Sequence, residues 1–413
     1  MPLIASTNSS EPAEVALTKT LLITRRAACA LTSTLFLPMS LASRVGAQQP
    51  PIRIGLISTF SGGFSSANQV YHATIKAFQK LHGNTAGGRS FEFIYRDDTG
   101  LAPETARRLA QELIIGEHVD FLVGFTFSPN AAAVSELSTQ SKVPVLITNA
   151  STTNLMAKAP YMARFSYTQG QLTTALASWA LKNKIKSVYN VFLDFSTGHE
   201  AKDLFTNAFT AGGGKIVGEV GFPLSTLDFT TYVQRVHDAQ PEAVFAFLAT
   251  AGRGFLKAFR DAGLNRSGIR VLGTGDLVAE DLLPSIGEYA DGVITAMNYS
   301  YAHNSSLNRA VIAAVMAADP TTPPFSFSAA ALWDVLTAIY RVVDVQKGSL
   351  DPDKTMALLK GIAFESPRGP IRIDPDTRDI VQNIYIRRTQ LQNGNWTSVE
   401  IDTFPMVKDP IER

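Results

Sequence analysis

The chain has a single cysteine among its 413 residues, Cys29. That cysteine lies in the leader described below, so the mature chain has no disulfide, thiol nucleophile or cysteine-ligated metal site. An excess of charge of one sign is also missing, because 37 Lys and Arg balance 36 Asp and Glu. A net charge near zero implies neither a nucleic-acid partner nor an anionic membrane surface. After the leader, no apolar run is long enough to favour a membrane span.

Residues 1–47 have the layout of an export signal. Lys19, Arg25 and Arg26 precede an apolar segment over residues 27–42, and small residues lead to Ala47. A basic region, an apolar region and an A-x-A-like exit are typical of a secretory signal peptide. We therefore predict a signal peptide over residues 1–47 and a mature protein in the periplasm, with the export route left open.

The stretch over residues 120–153 predicts two neighbouring βα units. One short apolar run ends at Gly124, a second ends at Ile147, and a polar turn follows each. Both turns fall at the carboxyl ends of strands, where open α/β sheets bind ligands. The turns are rich in Ser, Thr and Asn and contain no acid, so they suit an anion. The same residues are also ordinary helix caps, and the turns alone do not decide between these interpretations.

The mature sequence alternates strands and helices in two runs, followed by helices and then strands. This order predicts an α/β fold of two doubly wound parallel-sheet lobes joined by a three-strand hinge, with a ligand between the lobes. We predict an N-terminal lobe of residues 48–165 plus 298–366 and a C-terminal lobe of residues 166–297 plus 367–413.

Enzyme motifs are weak throughout the sequence. The run ending in Lys215 lacks the first glycine of a phosphate loop and leads into a strand, and no G-x-S-x-G elbow is present. The six histidines form no H-E-x-x-H pair, and Asp97 and Asp98 point to opposite sides of an extended strand. The sequence therefore predicts a protein that is not an enzyme and has no cofactor or metal.

In their order and spacing, several weak motifs resemble the type I periplasmic binding proteins, the branched-chain amino-acid (Leu/Ile/Val) receptor family of ABC importers. The motifs are residues 52–60, 95–99, 123–124 with Ser128, 143–152, 194–198, 273–282 and 292–300. The resemblance implies a substrate-binding protein, a clamp that closes on a small carboxylate and docks on an ABC permease in the inner membrane. It also implies a monomer.

The resemblance places the ligand carboxylate on Ser128 and on the run Ala150, Ser151 and Thr152, through hydroxyls and backbone N–H groups. This agrees with the anion site expected from the two polar turns.

On the second lobe the chain departs from the amino-acid receptors. Thr197 stands where they place an aromatic residue, with Phe195 two residues earlier, and Ala249 stands at another aromatic position. Gly275 takes the place of the acid that binds the ligand ammonium, with Asp276 beside it. Asp276 either pairs with an ammonium in the cleft or caps the following helix.

The ligand class stays open between an aliphatic amino acid and an aromatic acid. Phe64, Phe195 and Phe325 either stack on a ligand ring or belong to the core. Two other functions remain alternatives: a sensor that reports the ligand to a signalling partner, and a hydrolase, for which no nucleophile–base pair is visible.

Overall fold

The computed structural model describes residues 49–410, so the predicted signal peptide lies outside the described residues. The strands of the described chain are β1 Ile52–Ser58, β2 Thr85–Ala86, β3 Arg89–Asp97, β4 Phe121–Gly124, β5 Val145–Ile147, β6 Met162–Arg164, β7 Ser187–Leu193, β8 Lys215–Phe222, β9 Ala243–Phe247, β10 Arg270–Thr274, β11 Ile294–Met297, β12 Ala363–Ser366, β13 Gly369–Ile373, β14 Ile380–Gln392 and β15 Asn395–Val407. The α-helices are α1 Ser65–His82, α2 Pro103–Gln111, α3 Ser128–Ser141, α4 Gln169–Lys182, α5 Ser196–Ala211, α6 Thr230–Ala239, α7 Gly252–Asp261, α8 Leu283–Ile286, α9 Ser306–Ala318, α10 Phe327–Val345 and α11 Pro352–Leu359.

The first sheet has the order β2-β3-β1-β4-β5-β6, and all its pairings are parallel except β2 with β3. Its central strands are buried, which fits their nearly continuous apolar sequences, because helices cover both faces of a parallel sheet. Helix α2 begins at Pro103, whose missing N–H costs nothing in a first turn.

The second sheet has the order β12-β13-β14-β11-β10-β9-β7-β8, with β15 paired to β14. Strands β7 to β11 pair in parallel, whereas β12 to β15 add antiparallel strands at one side. The α/β fold with two parallel-rich lobes is therefore confirmed. We call the lobe built on the first sheet the first lobe and the other the second lobe.

Two late segments depart from a simple chain order. Helices α9 and α10 pack against α1, so the chain returns to the first lobe after the second sheet has been largely built. Strand β12 pairs with β13 in the second sheet, although the predicted boundary at residue 366 assigns it to the N-terminal lobe. A tight turn joins the two strands, so β12 pairs locally with β13 and belongs to the second sheet.

The segments that connect the lobes lie against one another. Asn298 donates to the carbonyl of Ser166 at 2.9 Å, and Arg368 donates to the carbonyls of Phe165 and Ser166. We call the connecting segments 165–167 and 298–300, together with the β12–β13 turn 367–368 that packs against them, the hinge. Within residues 49–410, no helix is both long and apolar enough for a membrane span.

Candidate functional site

The turn after β4 brings two hydroxyl side chains to the space between the lobes. Gly124 has φ 121°, and a Cβ there would lie 2.2 Å from the carbonyl oxygen of Ile57, so only glycine fits. Phe125 follows at φ 67°, an uncommon conformation for a bulky residue that is found mainly at functional sites. This sharp turn presents Thr126 and Ser128 to the cleft.

The Ser128 hydroxyl accepts two hydrogen bonds from the protein and can still donate one. Its Oγ accepts the backbone N–H groups of Ser151 and Thr152, each at 3.0 Å. A hydroxyl has two acceptor positions and one donor, so both acceptor positions are filled. No acceptor for the Ser128 proton is found among residues 49–410, and Ser128 lines the cleft cavity. The hydroxyl is thus oriented to donate to a ligand.

The run after β5 differs in part from the sequence expectation. The N–H of Ala150 donates to the carbonyl of Phe125 at 2.9 Å, and Ala150 is buried behind the cavity wall. The N–H groups of Ser151 and Thr152 are taken by Ser128 rather than pointing at a ligand. The predicted anion site would therefore consist of hydroxyls held in place by amides, because these amides donate to the buried serine oxygen.

Thr197 faces the first lobe across the cleft. Its Oγ1 lies 3.1 Å from the Oγ1 of Thr152, and the N–H of Thr153 donates to Glu200 Oε1 at 2.8 Å. Gly198 lets α5 begin this close to β7, since a Cβ would lie 1.9 Å from the carbonyl oxygen of Leu193. These contacts join the two lobes beside the cavity.

Asp276 lies in the cavity wall at the carboxyl end of β10. Its Oδ2 accepts the N–H of Ala249 at 3.2 Å, and Ala249 holds a left-handed backbone with φ 45°. The Oδ1 atom is buried and has no hydrogen-bond partner among residues 49–410. Burial raises the pKa of the Asp276 carboxyl, and the Thr274 hydroxyl, the backbone N–H groups of Asp276 and Ala249 and the charge of Arg387 oppose that rise. Asp276 therefore reaches the cleft instead of only capping the following helix.

A cavity of about 90 Å³ lies between the lobes, several times the roughly 10–15 Å³ that one water molecule needs on the same measure. Five phenylalanines line it, and all except Phe327 form a chain of neighbouring rings: Phe64 with Phe127 at 5.4 Å, Phe127 with Phe195 at 6.2 Å, and Phe195 with Phe247 at 6.2 Å. Such edge-to-face walls accept a flat apolar body. Phe325 is instead buried against Tyr299 and does not line this cavity.

Sequence reasoning missed several polar residues of the cavity. Asp281 accepts the hydroxyl of Ser66 from the first lobe at 2.7 Å, and burial raises the pKa of its carboxyl. Tyr71 and Tyr167 also line the cavity. The glycine turn before Ser66 and the acid five residues after Asp276 were the available signals, but sequence does not reveal a contact across 215 positions.

Charge in the cavity is acidic. Among the described residues that line it, Asp276 and Asp281 are ionisable acids, and there is no Lys, Arg or His. Within residues 49–410, no group of three or more His, Cys, Asp or Glu side chains could hold a metal ion.

Comparison with known proteins identifies the family of the chain. A family model described as "Periplasmic binding protein" matches residues 51–395. The Leu/Ile/Val-binding protein homolog 6 of Brucella abortus (strain 2308) is 38% identical over 362 residues, which is 87% of this chain and 93% of that protein. The chain belongs to the periplasmic binding protein family. The type I resemblance drawn from the motifs is therefore confirmed.

Solved structures of periplasmic binding proteins share the whole described fold. A solute binding protein of an ABC transporter from Rhodopseudomonas palustris BisB5, in complex with 3,4-dihydroxy benzoic acid, has a TM-score of 0.83 and 41% identity. The match covers 87% of this chain and 99% of that one. A solute binding protein from R. palustris in complex with 4-hydroxybenzoate has a TM-score of 0.84 and 36% identity, covering 87% and 98%.

Of the predicted site residues, the periplasmic binding protein fold brings seven into the cavity wall: Phe64, Ser128, Ser151, Phe195, Thr197, Ala249 and Asp276. Ala150 lies behind that wall, and Thr152 lies beside it through its bonds to Ser128 and Thr197. The ligand contacts of these residues are predictions that binding measurements test.

Proposed function

We propose that this chain is the substrate-binding protein of an ABC importer and captures an aromatic carboxylate of the benzoate class between its lobes. The observation that carries the proposal is the Ser128 hydroxyl. Two amides fix it so that its proton points to a ligand, in a cavity with no cation to serve a carboxylate instead. Hydroxyl donors bind a carboxylate by charge-assisted hydrogen bonds, which are stronger in a closed cleft than in water.

The aromatic walls favour a benzoate over an aliphatic amino acid. Five phenylalanine rings line the cavity, and a planar ring gains edge-to-face contacts there that a branched aliphatic side chain does not. The two matched structures from R. palustris, at 36–41% identity, contain benzoate-type acids. The amino-acid alternative would use Asp276 to pair with the ligand ammonium, and the experiment below includes it.

An importer role implies a periplasmic location and a membrane permease as the partner. Capture in the periplasm would be followed by docking on a permease of the inner membrane, with closure driven by the higher affinity of the closed state for ligand. The protein has no catalytic part in this cycle, and the ligand leaves unchanged.

Isothermal titration of the mature chain tests the proposal. We expect benzoate-class acids to bind and leucine, isoleucine and valine not to bind. Ser128→Ala should lower the affinity for benzoate by about 1.5–3 kcal/mol, since it removes one charge-assisted hydrogen bond. Ser141→Ala, an exposed serine at the other end of α3, is the matched control and should leave affinity unchanged. Binding of branched-chain amino acids without binding of benzoates would replace this proposal by the amino-acid alternative.

A further inference from the structure

Two carboxylates face the cavity from one loop of the second lobe. Asp276 and Asp281 both belong to the segment between β10 and α8, and both line the cavity. Neither forms an ion pair with any residue of the described chain. The first lobe brings the Ser128 hydroxyl to the cavity, and this loop of the second lobe brings two hydrogen-bond acceptors.

Each acid keeps acceptor capacity that the protein does not fill. A carboxylate has about four acceptor positions. Asp276 receives one N–H, from Ala249, on Oδ2, and Asp281 receives one hydroxyl, from Ser66, on Oδ2. Burying a carboxylate with so few donors is costly unless a ligand supplies more. A bound molecule that brings hydrogen-bond donors to this wall would remove that cost.

We propose that Asp276 and Asp281 accept hydrogen bonds from ring hydroxyl groups, so that the cavity selects hydroxylated aromatic carboxylates over unsubstituted benzoate. The proposal rests on the proposed function and names its substrate class more narrowly. The ligand carboxylate would lie at Ser128 on the first-lobe wall, away from the two acids, while the ring fills the phenylalanine-lined space. Two acids provide acceptors for two hydroxyls, so a dihydroxylated ring matches the wall best.

A hydroxyl suits this wall better than the neighbouring chemical choices. It donates a hydrogen bond without carrying charge, so it needs no counter-ion of its own. A methoxy group at the same position has no proton to donate and adds bulk, and a bare ring carbon leaves both acids unsatisfied. Sites built to hydrogen-bond a hydroxyl discriminate strongly against analogues that lack it, because the buried polar group is then left unpaired.

The test measures selectivity by isothermal titration of the mature chain with benzoate, 4-hydroxybenzoate, 4-methoxybenzoate and 3,4-dihydroxybenzoate. We expect each hydroxyl to tighten binding by roughly tenfold or more, the range of a hydrogen bond to a charged group. We expect 4-methoxybenzoate to bind more weakly than 4-hydroxybenzoate. Equal affinity across the four acids would overturn the proposal and leave the benzoate-class function standing.

Variants then assign the effect to the two acids. Asp276→Asn and Asp281→Asn should each reduce the ratio of hydroxylated-acid to benzoate affinity by roughly tenfold. The control is Asp261→Asn, an exposed acid on α7 that pairs with Lys257, and it should leave the ratio unchanged. A uniform loss for all four acids would show that Asp276 and Asp281 act only through structure, and would overturn the proposal. Failure of every aromatic acid to bind the wild-type chain would remove the proposed function as well.

Discussion

Carboxylates are buried both around the hinge and in the cleft, but those around the hinge form ion pairs with arginines. At the hinge and beside it, Arg164 pairs with Asp379 at 2.9 Å, Arg368 with Asp334 at 2.7 Å, and Arg387 with Glu280 at 2.5 Å. All six side chains are at most 2% exposed. In the cleft, Asp276 and Asp281 have a backbone N–H and a serine hydroxyl as partners instead.

This difference separates structural charge from charge available to a ligand. A buried ion pair whose remaining donors are satisfied is closed to other partners, and Arg368 is of this kind because it also binds two carbonyls of the hinge. A buried carboxylate without a cation partner keeps acceptor positions that a ligand can use. The chain therefore fixes the connection between its lobes with full charge pairs and leaves its acceptors unfilled where a ligand enters.

Breaking a hinge pair should give the largest effect. Arg368→Met leaves Asp334 buried without its cation, so the free energy of unfolding should fall by about 3–5 kcal/mol. Denaturant titration of the ligand-free chain measures this. Arg372→Met, an exposed arginine on β13, is the control and should have little effect. Equal free energies of unfolding for Arg368→Met and that control would show that the Arg368–Asp334 pair does not stabilise the fold.

The cleft acids should give a smaller, pH-dependent effect. Burial raises the pKa of Asp276 and Asp281 above the value in the unfolded chain, so the folded chain holds their protons to higher pH. Their favourable contribution is present below the unfolded pKa and is lost as pH rises through the raised pKa. The free energy of unfolding of wild type, relative to the Asp276→Asn, Asp281→Asn double variant, should therefore fall with rising pH in ligand-free denaturant titrations. A difference that rises with pH would contradict this sign.

The contact between lobes at Glu200 should give the smallest effect. Glu200→Gln keeps an oxygen that can accept the N–H of Thr153, but the bond loses its charge, so the closed form should lose about 0.5–1 kcal/mol. Affinity for every ligand should then fall by the same small factor, because closure is shared by all of them. Titration with several acids checks this, and Asp203→Asn on the exposed side of α5 is the control. A change in selectivity instead would place Glu200 among the ligand contacts.

Much of the fold could be predicted from periodicity and turn chemistry. The alternation of strands and helices expected from the sequence is present: β7 covers the largely apolar run Ser187–Leu193, and α2 begins at Pro103, a residue favoured in the first turn of a helix. Strand β12 is hard to recognise in the sequence because it lies at the edge of the second sheet and only one of its four residues is fully buried.

The site was predictable where it depends on local geometry. Ser128 and Ser151 follow neighbouring parallel strands, so topology alone brings them together. Ala150 illustrates the limit, since a small residue in a turn does not reveal whether its N–H faces a ligand or the carbonyl of Phe125. Asp281 with Ser66 illustrates another, because contacts between lobes depend on how the lobes close.

Arg387 connects the loop that carries the cavity acids to the hinge. One guanidinium reaches Glu280 and the carbonyl of Gly275, on either side of the cavity acid Asp276, and also the carbonyl of Tyr299 in the hinge. A single side chain therefore joins the loop that carries the cavity acids to a segment that connects the lobes.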